Sequence, residues 1–154
     1  MKMDIGGEET FDVPIETLWQ ALNNPAVLKL CIPGCKDMID EGNDHFRLVL
    51  NLKVAAVGGS FEGAISLSDK TPPSQCNVSV SGSGTLGHGN GSANFSLTSL
   101  PTGGTSMVYS GEGEIGGLVA GVGQRILKGV AKHLIGQFFK ALRNQVAAPP
   151  TTTS

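Results

Sequence analysis

Charge and aromatic rings are both scarce in this chain. Charged residues make up 16% of the 154 positions and aromatics 5%, with one Trp and one Tyr. So few rings offer no stacking platform for single-stranded nucleic acid. A net charge of −2 also has the wrong sign for gripping a phosphate backbone, so no nucleic-acid partner is expected. Long apolar runs are missing too. Nothing approaches the ~20 residues that span a bilayer, and the N-terminus carries no apolar signal core. Three cysteines, an odd number, fit a reducing compartment better than a disulfide framework, and a cytoplasmic location is expected. There, the Asn-x-Ser matches at Asn77, Asn90 and Asn94 carry no glycan.

Acid is absent from the end of the chain. All 13 acidic residues lie at or before Glu114, and five bases follow: Arg125, Lys128, Lys132, Lys140 and Arg143. The two parts carry −7 and +5. Such asymmetry marks either a solvated helix face or a contact with an anionic membrane or a partner protein.

Recognisable catalytic sets are missing as well. Cys31 and Cys35 are separated by Ile-Pro-Gly, the makings of a tight turn. A structural zinc site needs four ligands, and there is no second cysteine pair. Packing is therefore expected of these thiols, with no metal and no cofactor. His45, His88 and His133 stand apart, so no triad assembles, and no catalytic residue is assigned. Gly82-Ser83-Gly84-Thr85-Leu86-Gly87 spells G-x-G-x-x-G. The dinucleotide fingerprint requires a helix at its last glycine, whereas an alternating strand follows here. Glu112 and Glu114 share a strand face opposite the apolar one and are expected to face solvent.

What is present is a strong alternation. Met3, Ile5, Phe11 and Val13 suggest a first strand broken near Gly6-Gly7. Pro14 opens a short helix carrying Leu18, Trp19 and Leu22, and Pro25 starts another through Leu30. Phe46, Leu48, Leu50, Leu52 and Val54 then alternate with polar residues. Phe61, Ile65 and Leu67 follow, then Cys76, Val78 and Val80, then Ala93, Phe95 and Leu97, then Met107, Tyr109 and Ile115. Short turns between them predict an antiparallel meander with one apolar face. From Leu118 to Leu142 apolar residues recur every four, which predicts an amphipathic helix of ~28 residues. Glycines at its start and within it leave room for a cavity or for close packing on the sheet. The fold class is α+β: a curved antiparallel sheet around a long C-terminal helix, with two short helices after the first strand. The domain is expected over residues 1–145, with a disordered tail over 146–154.

The segment Asn23-Asn24-Pro25 to Cys31-Ile32-Pro33-Gly34-Cys35 is unusually apolar for a connector. It resembles the CoxG family, accessory proteins of carbon monoxide dehydrogenase gene clusters, of the START-like (helix-grip) superfamily. Gly63, Leu67, Pro73, Gly82-Ser83-Gly84, Ile115-Gly116-Gly117-Leu118 and Gly123-Gln124-Arg125 extend the resemblance over most of the chain. Val54 to Gly59 departs from it by lacking a proline, which affects that turn alone. The resemblance implies a cytoplasmic, non-enzymatic accessory protein. It would bind an apolar small molecule such as a quinone or lipid and link a molybdenum-containing dehydrogenase to the inner membrane face. In that reading the ligand is lined by residues from Trp19, Leu22, Leu28, Ile32, Phe46, Leu48, Phe61, Val119, Val122 and Ile126, under a lid made by the short helices and the Cys31–Cys35 turn. The five bases would contact membrane or partner. A docking adaptor with a filled interior, and a small START-like cyclase or hydrolase, are the alternatives.

Overall fold

The computed structural model describes residues 1–53 and 59–147. Val54, positions 55–58 and the end of the chain from position 148 lie outside the described residues. The elements run β1 (Lys2–Phe11), α1 (Ile15–Leu22), α2 (Pro25–Cys31), β2 (Cys35–Gly42), β3 (His45–Leu52), β4 (Gly59–Thr71), β5 (Gln75–Gly84), β6 (Gly87–Ser99), β7 (Thr105–Gly116), a short 3-10 turn (Leu118–Val122) and α3 (Gln124–Ala147). One seven-stranded sheet has the order β1-β7-β6-β5-β4-β3-β2, antiparallel throughout. β1 pairs with the last strand, and α1 and α2 carry the chain from that edge to the opposite one. With α3 laid across the inner face, this is the curved sheet around a long helix expected from the alternation, and the helix-grip architecture that the resemblance implies.

Local chemistry explains the short helices. Pro14 caps α1 and its carbonyl accepts from Leu18 N. Asn24 caps α2, its side chain accepting from Ala26 N at 3.0 Å, with Pro25 at the first helical position, where its missing N–H costs nothing. The Asn-Pro step is thus a helix start in its own right.

Three expectations change. β1 is unbroken at Gly6-Gly7, pairing with β7 along its whole length. A Cβ on Gly7 would lie 2.9 Å from the Tyr109 hydroxyl, so this glycine makes room for a ring. The last helix is shorter than ~28 residues. Gly123 has φ +104, incompatible with an α-helix, and splits the 3-10 turn from the 24-residue α3. β2 is a strand that the alternation did not reveal: it is an edge strand with bulges and polar residues on both faces.

The apolar interior is divided. The larger cluster joins Phe11, Leu18, Leu22, Cys31, Phe46, Leu67, Cys76, Phe95, Leu97 and Met107 with Phe139 and Leu142 of α3. A small second cluster holds Met3, Val119 and Leu127 at the other end of α3. Leu18 and Leu142 are completely buried.

A glycine-floored apolar cavity

The space between the two clusters is a cavity of about 420 Å³. Its existence follows from the inward-facing residues of the central strands. Where the large cluster has Phe95, Leu97 and Met107, the same faces continue as Gly89, Gly91, Ala93, Gly111 and Gly113. Gly82 pairs with both Gly63 and Gly89, Gly91 pairs with Gly113, and Ala93 with Gly111. β6 and β7 therefore present almost no side chains to α3 over this stretch, and Gly82 extends the bare patch onto β5. α3 faces them with Leu127, Val130, Ala131 and Leu134, while Met3, Leu50, Leu52, Phe61, Val78, Ile115 and Val119 complete the wall. The wall surface is nearly all carbon. Val80 also lines it and is 43% exposed, so the cavity meets solvent on that side.

The glycines have a second role. A Cβ on Gly111 would lie 2.7 Å from the Ala93 Cβ and 2.8 Å from the Ser92 carbonyl oxygen. One on Gly63 would lie 2.5 Å from the Ser81 carbonyl oxygen. The strands approach closely because these positions are bare, and the strong curl of the sheet depends on it.

Of the ten residues expected around a ligand, the structure brings Phe61 and Val119 to this wall. Leu22 and Phe46 sit in the large cluster, with Trp19 packed against it and 6.1 Å from Phe95, ring to ring. Leu28 and Leu48 are buried outside the cavity wall, and Ile32 is the C-cap of α2. Val122 packs against the small cluster, and Ile126 is 53% exposed. The short helices and the Cys31–Cys35 turn do not cover the cavity; they close the filled end of the grip. Large side chains interdigitate there, whereas the inner face is bare at the end near the 3-10 turn. The signal for this was the glycine spacing along β5, β6 and β7, set against the strand alternation.

A family model for CoxG, the G subunit of carbon monoxide dehydrogenase, matches residues 7–147. The chain belongs to the CoxG family. Among solved structures, a conserved protein from Geobacillus kaustophilus is 34% identical, with a TM-score of 0.92 over 94% of this chain and 95% of that one. A START superfamily protein from Mycobacterium smegmatis shares the fold at 14% identity, with a TM-score of 0.75 over 94% and 97% of the two chains. A protein from Chromobacterium violaceum does so at 15% identity, with a TM-score of 0.71 over 93% and 96%. No curated protein matches the chain.

In this CoxG chain the bases of α3 have different surroundings. Arg143 is part of the structure. It pairs with Glu9, donates to the Thr10 carbonyl and lies 4.9 Å from the centre of the Phe11 ring. Lys128 and Lys132 line a groove against β1 together with Asp4, Glu9 and Tyr109. Among the described residues, no ion pair includes Arg125, Lys128, Lys132 or Lys140. Arg143→Ala should lower stability by about 1–2 kcal/mol, since a charge-assisted hydrogen bond and a ring contact are lost from a partly exposed site. Urea unfolding would measure this, and an unchanged midpoint would show that Arg143 is only solvated.

The thiols are packed rather than poised. Cys31 and Cys76 are buried, and Cys35 Sγ donates to the Asp37 carbonyl at 3.4 Å. Burial raises the pKa of all three; for Cys35, the Lys29 charge acts against it and the Asp37 carboxylate charge in the same direction. The described residues contain no group of three metal-ligating side chains. An unfolded chain releases thiol protons that the folded chain retains. Stability from these groups is therefore complete below the ordinary thiol range and declines as pH rises through it. Cys31→Ser with Cys35→Ser should reduce that alkaline decline, leave zinc content at background and cost some stability through buried hydroxyls. Stoichiometric zinc lost in the double variant would overturn the packing role.

Proposed function

We propose that this protein is a non-catalytic carrier that holds one apolar small molecule in the glycine-floored cavity, on behalf of a carbon monoxide dehydrogenase-type molybdenum hydroxylase. The observation that carries this reading is the cavity itself: about 420 Å³ walled by Leu50, Phe61, Val78, Val119, Leu127 and Leu134. An apolar hollow of that size is an unfavourable place for water, which needs polar partners, and a favourable one for hydrocarbon. Membership of a family described as the G subunit of carbon monoxide dehydrogenase supports the accessory role. A quinone or another isoprenoid suits the wall chemistry and would join such an enzyme to the membrane. No described helix is long and apolar enough to cross a bilayer, so the membrane contact proposed here is made at the surface.

Native mass spectrometry of the purified protein, before and after solvent extraction, tests the reading. The expected result is an added mass removed by extraction and restored by incubation with a quinone. A protein that neither carries nor takes up any apolar molecule would leave the adaptor reading, in which the surface alone joins enzyme and membrane.

A further inference from the structure

Resting on the carrier reading above, we infer that the 3-10 turn and the start of α3 form a docking surface for anionic lipid, placed beside the cavity so that an apolar ligand passes without crossing water. Leu118 is 75% exposed and Ile126 53% exposed. Single exposed leucines are ordinary; here, however, both adjoin residues of the cavity wall, Val119 and Leu127. The turn projects between two glycines with positive φ, Gly117 at +86 and Gly123 at +104. Val119 fixes it from within, buried and donating to the Leu86 carbonyl at 2.6 Å. Leu118, beside that fixed residue, stays exposed. A Cβ on Gly121 or Gly123 would meet nothing within 4 Å, so the surroundings of the turn are open.

The charge fits an anionic surface, and the exposed apolar side chains of Leu118 and Ile126 suit a lipid leaflet better than an acidic protein face. Arg125 stands between the two apolar residues in the chain, Lys128 follows, and no acid occurs after Glu114. The adjoining β5–β6 hairpin, from Ser81 to Asn90, contains no acid or base other than His88. Glu112 and Glu114 of β7 are exposed, alternating with its inward-facing residues, and Asp4 shares the groove beside Lys128, which leaves Arg125 as the base next to the two apolar side chains. Apolar side chains flanked by bases and free of acid are the composition of a segment that enters the interface of an anionic leaflet.

Flotation with phosphatidylglycerol–phosphatidylcholine vesicles tests this, with anilinonaphthalene sulfonate fluorescence as a separate probe of the cavity. Wild type should float with the anionic vesicles and much less with phosphatidylcholine alone. Leu118→Ser with Ile126→Ser should weaken that binding about tenfold or more while leaving the probe signal and thermal midpoint unchanged, because both side chains are outside the cavity. Arg125→Gln should weaken it less and reduce its salt dependence. Vesicle binding that survives the double substitution but is lost on changing Lys128, Lys132 and Lys140 to Gln would overturn the inference in favour of the helix flank. Absence of vesicle binding by wild type would overturn it too; a normal probe signal in that experiment would leave the carrier reading standing, and a missing one would remove both.

Discussion

Ala131→Trp should abolish uptake of apolar molecules while the protein stays folded. Ala131 lies on α3, half-buried, facing the bare strands across the cavity. An indole there fills much of the hollow, and the α-helix accepts it with little cost in propensity. Ala131 packs against the small cluster on one side and borders the cavity on the other, so the ring can turn into open space and the overpacking penalty of a filled core is largely avoided. The expected result is loss of the extractable mass and of the anilinonaphthalene sulfonate signal, with a thermal midpoint equal to or above wild type. The same change at a site outside the wall, such as Ile126→Trp on the solvent side of α3, should leave uptake in place. If Ala131→Trp still takes up a full equivalent of quinone, the ligand is not held between α3 and the glycine floor.

Gly111→Val and Gly129→Ala should move stability in opposite directions. At Gly111 a Cβ would press on the Ala93 Cβ and the Ser92 carbonyl, both under 3 Å away. Neither is the free end of a flexible chain, so β6 and β7 must separate, at a cost of about 3 kcal/mol. Gly129 sits within α3 and a Cβ there meets nothing within 4 Å. Alanine at that position relieves the helix of a poor former and should add about 0.5–1 kcal/mol. Chemical denaturation of both variants checks the pair. A stabilising Gly111→Val would mean that the curl of the sheet does not depend on bare strands. A destabilising Gly129→Ala would mean that the exposed flank of α3 packs against something.

That contrast shows why glycine content is hard to read from a sequence. Gly129 and Gly136 in α3 look as if they leave room for a ligand or for close packing, yet both face open space. The glycines that shape the site lie in the strands, where their first appearance is as bends and turns. Gly82-Ser83-Gly84-Thr85-Leu86-Gly87 is the β5–β6 hairpin. Its first glycine belongs to the cavity floor, and a Cβ on its last would lie 2.8 Å from Val119. The basic residues divide in the same way: Arg143 and Lys140 both look like solvated cations in the sequence, but β1 brings Glu9 and Phe11 to Arg143 alone.

The sequence by itself determined the strands from β3 onward, the two short helices, the amphipathic α3 and the family, because these rest on alternation, proline placement and motif spacing within short stretches of chain. It did not reveal β2, whose edge position removes the need for an apolar face. Only the tertiary structure decided where the empty space lies. The apolar residues at both ends of the grip are equally apolar in the sequence. Pairing in register places Gly63, Gly82, Gly89, Gly91, Gly111 and Gly113 side by side on neighbouring strands. A cavity is a property of that juxtaposition: no one of these glycines makes it, and residues far apart in the chain leave the space together.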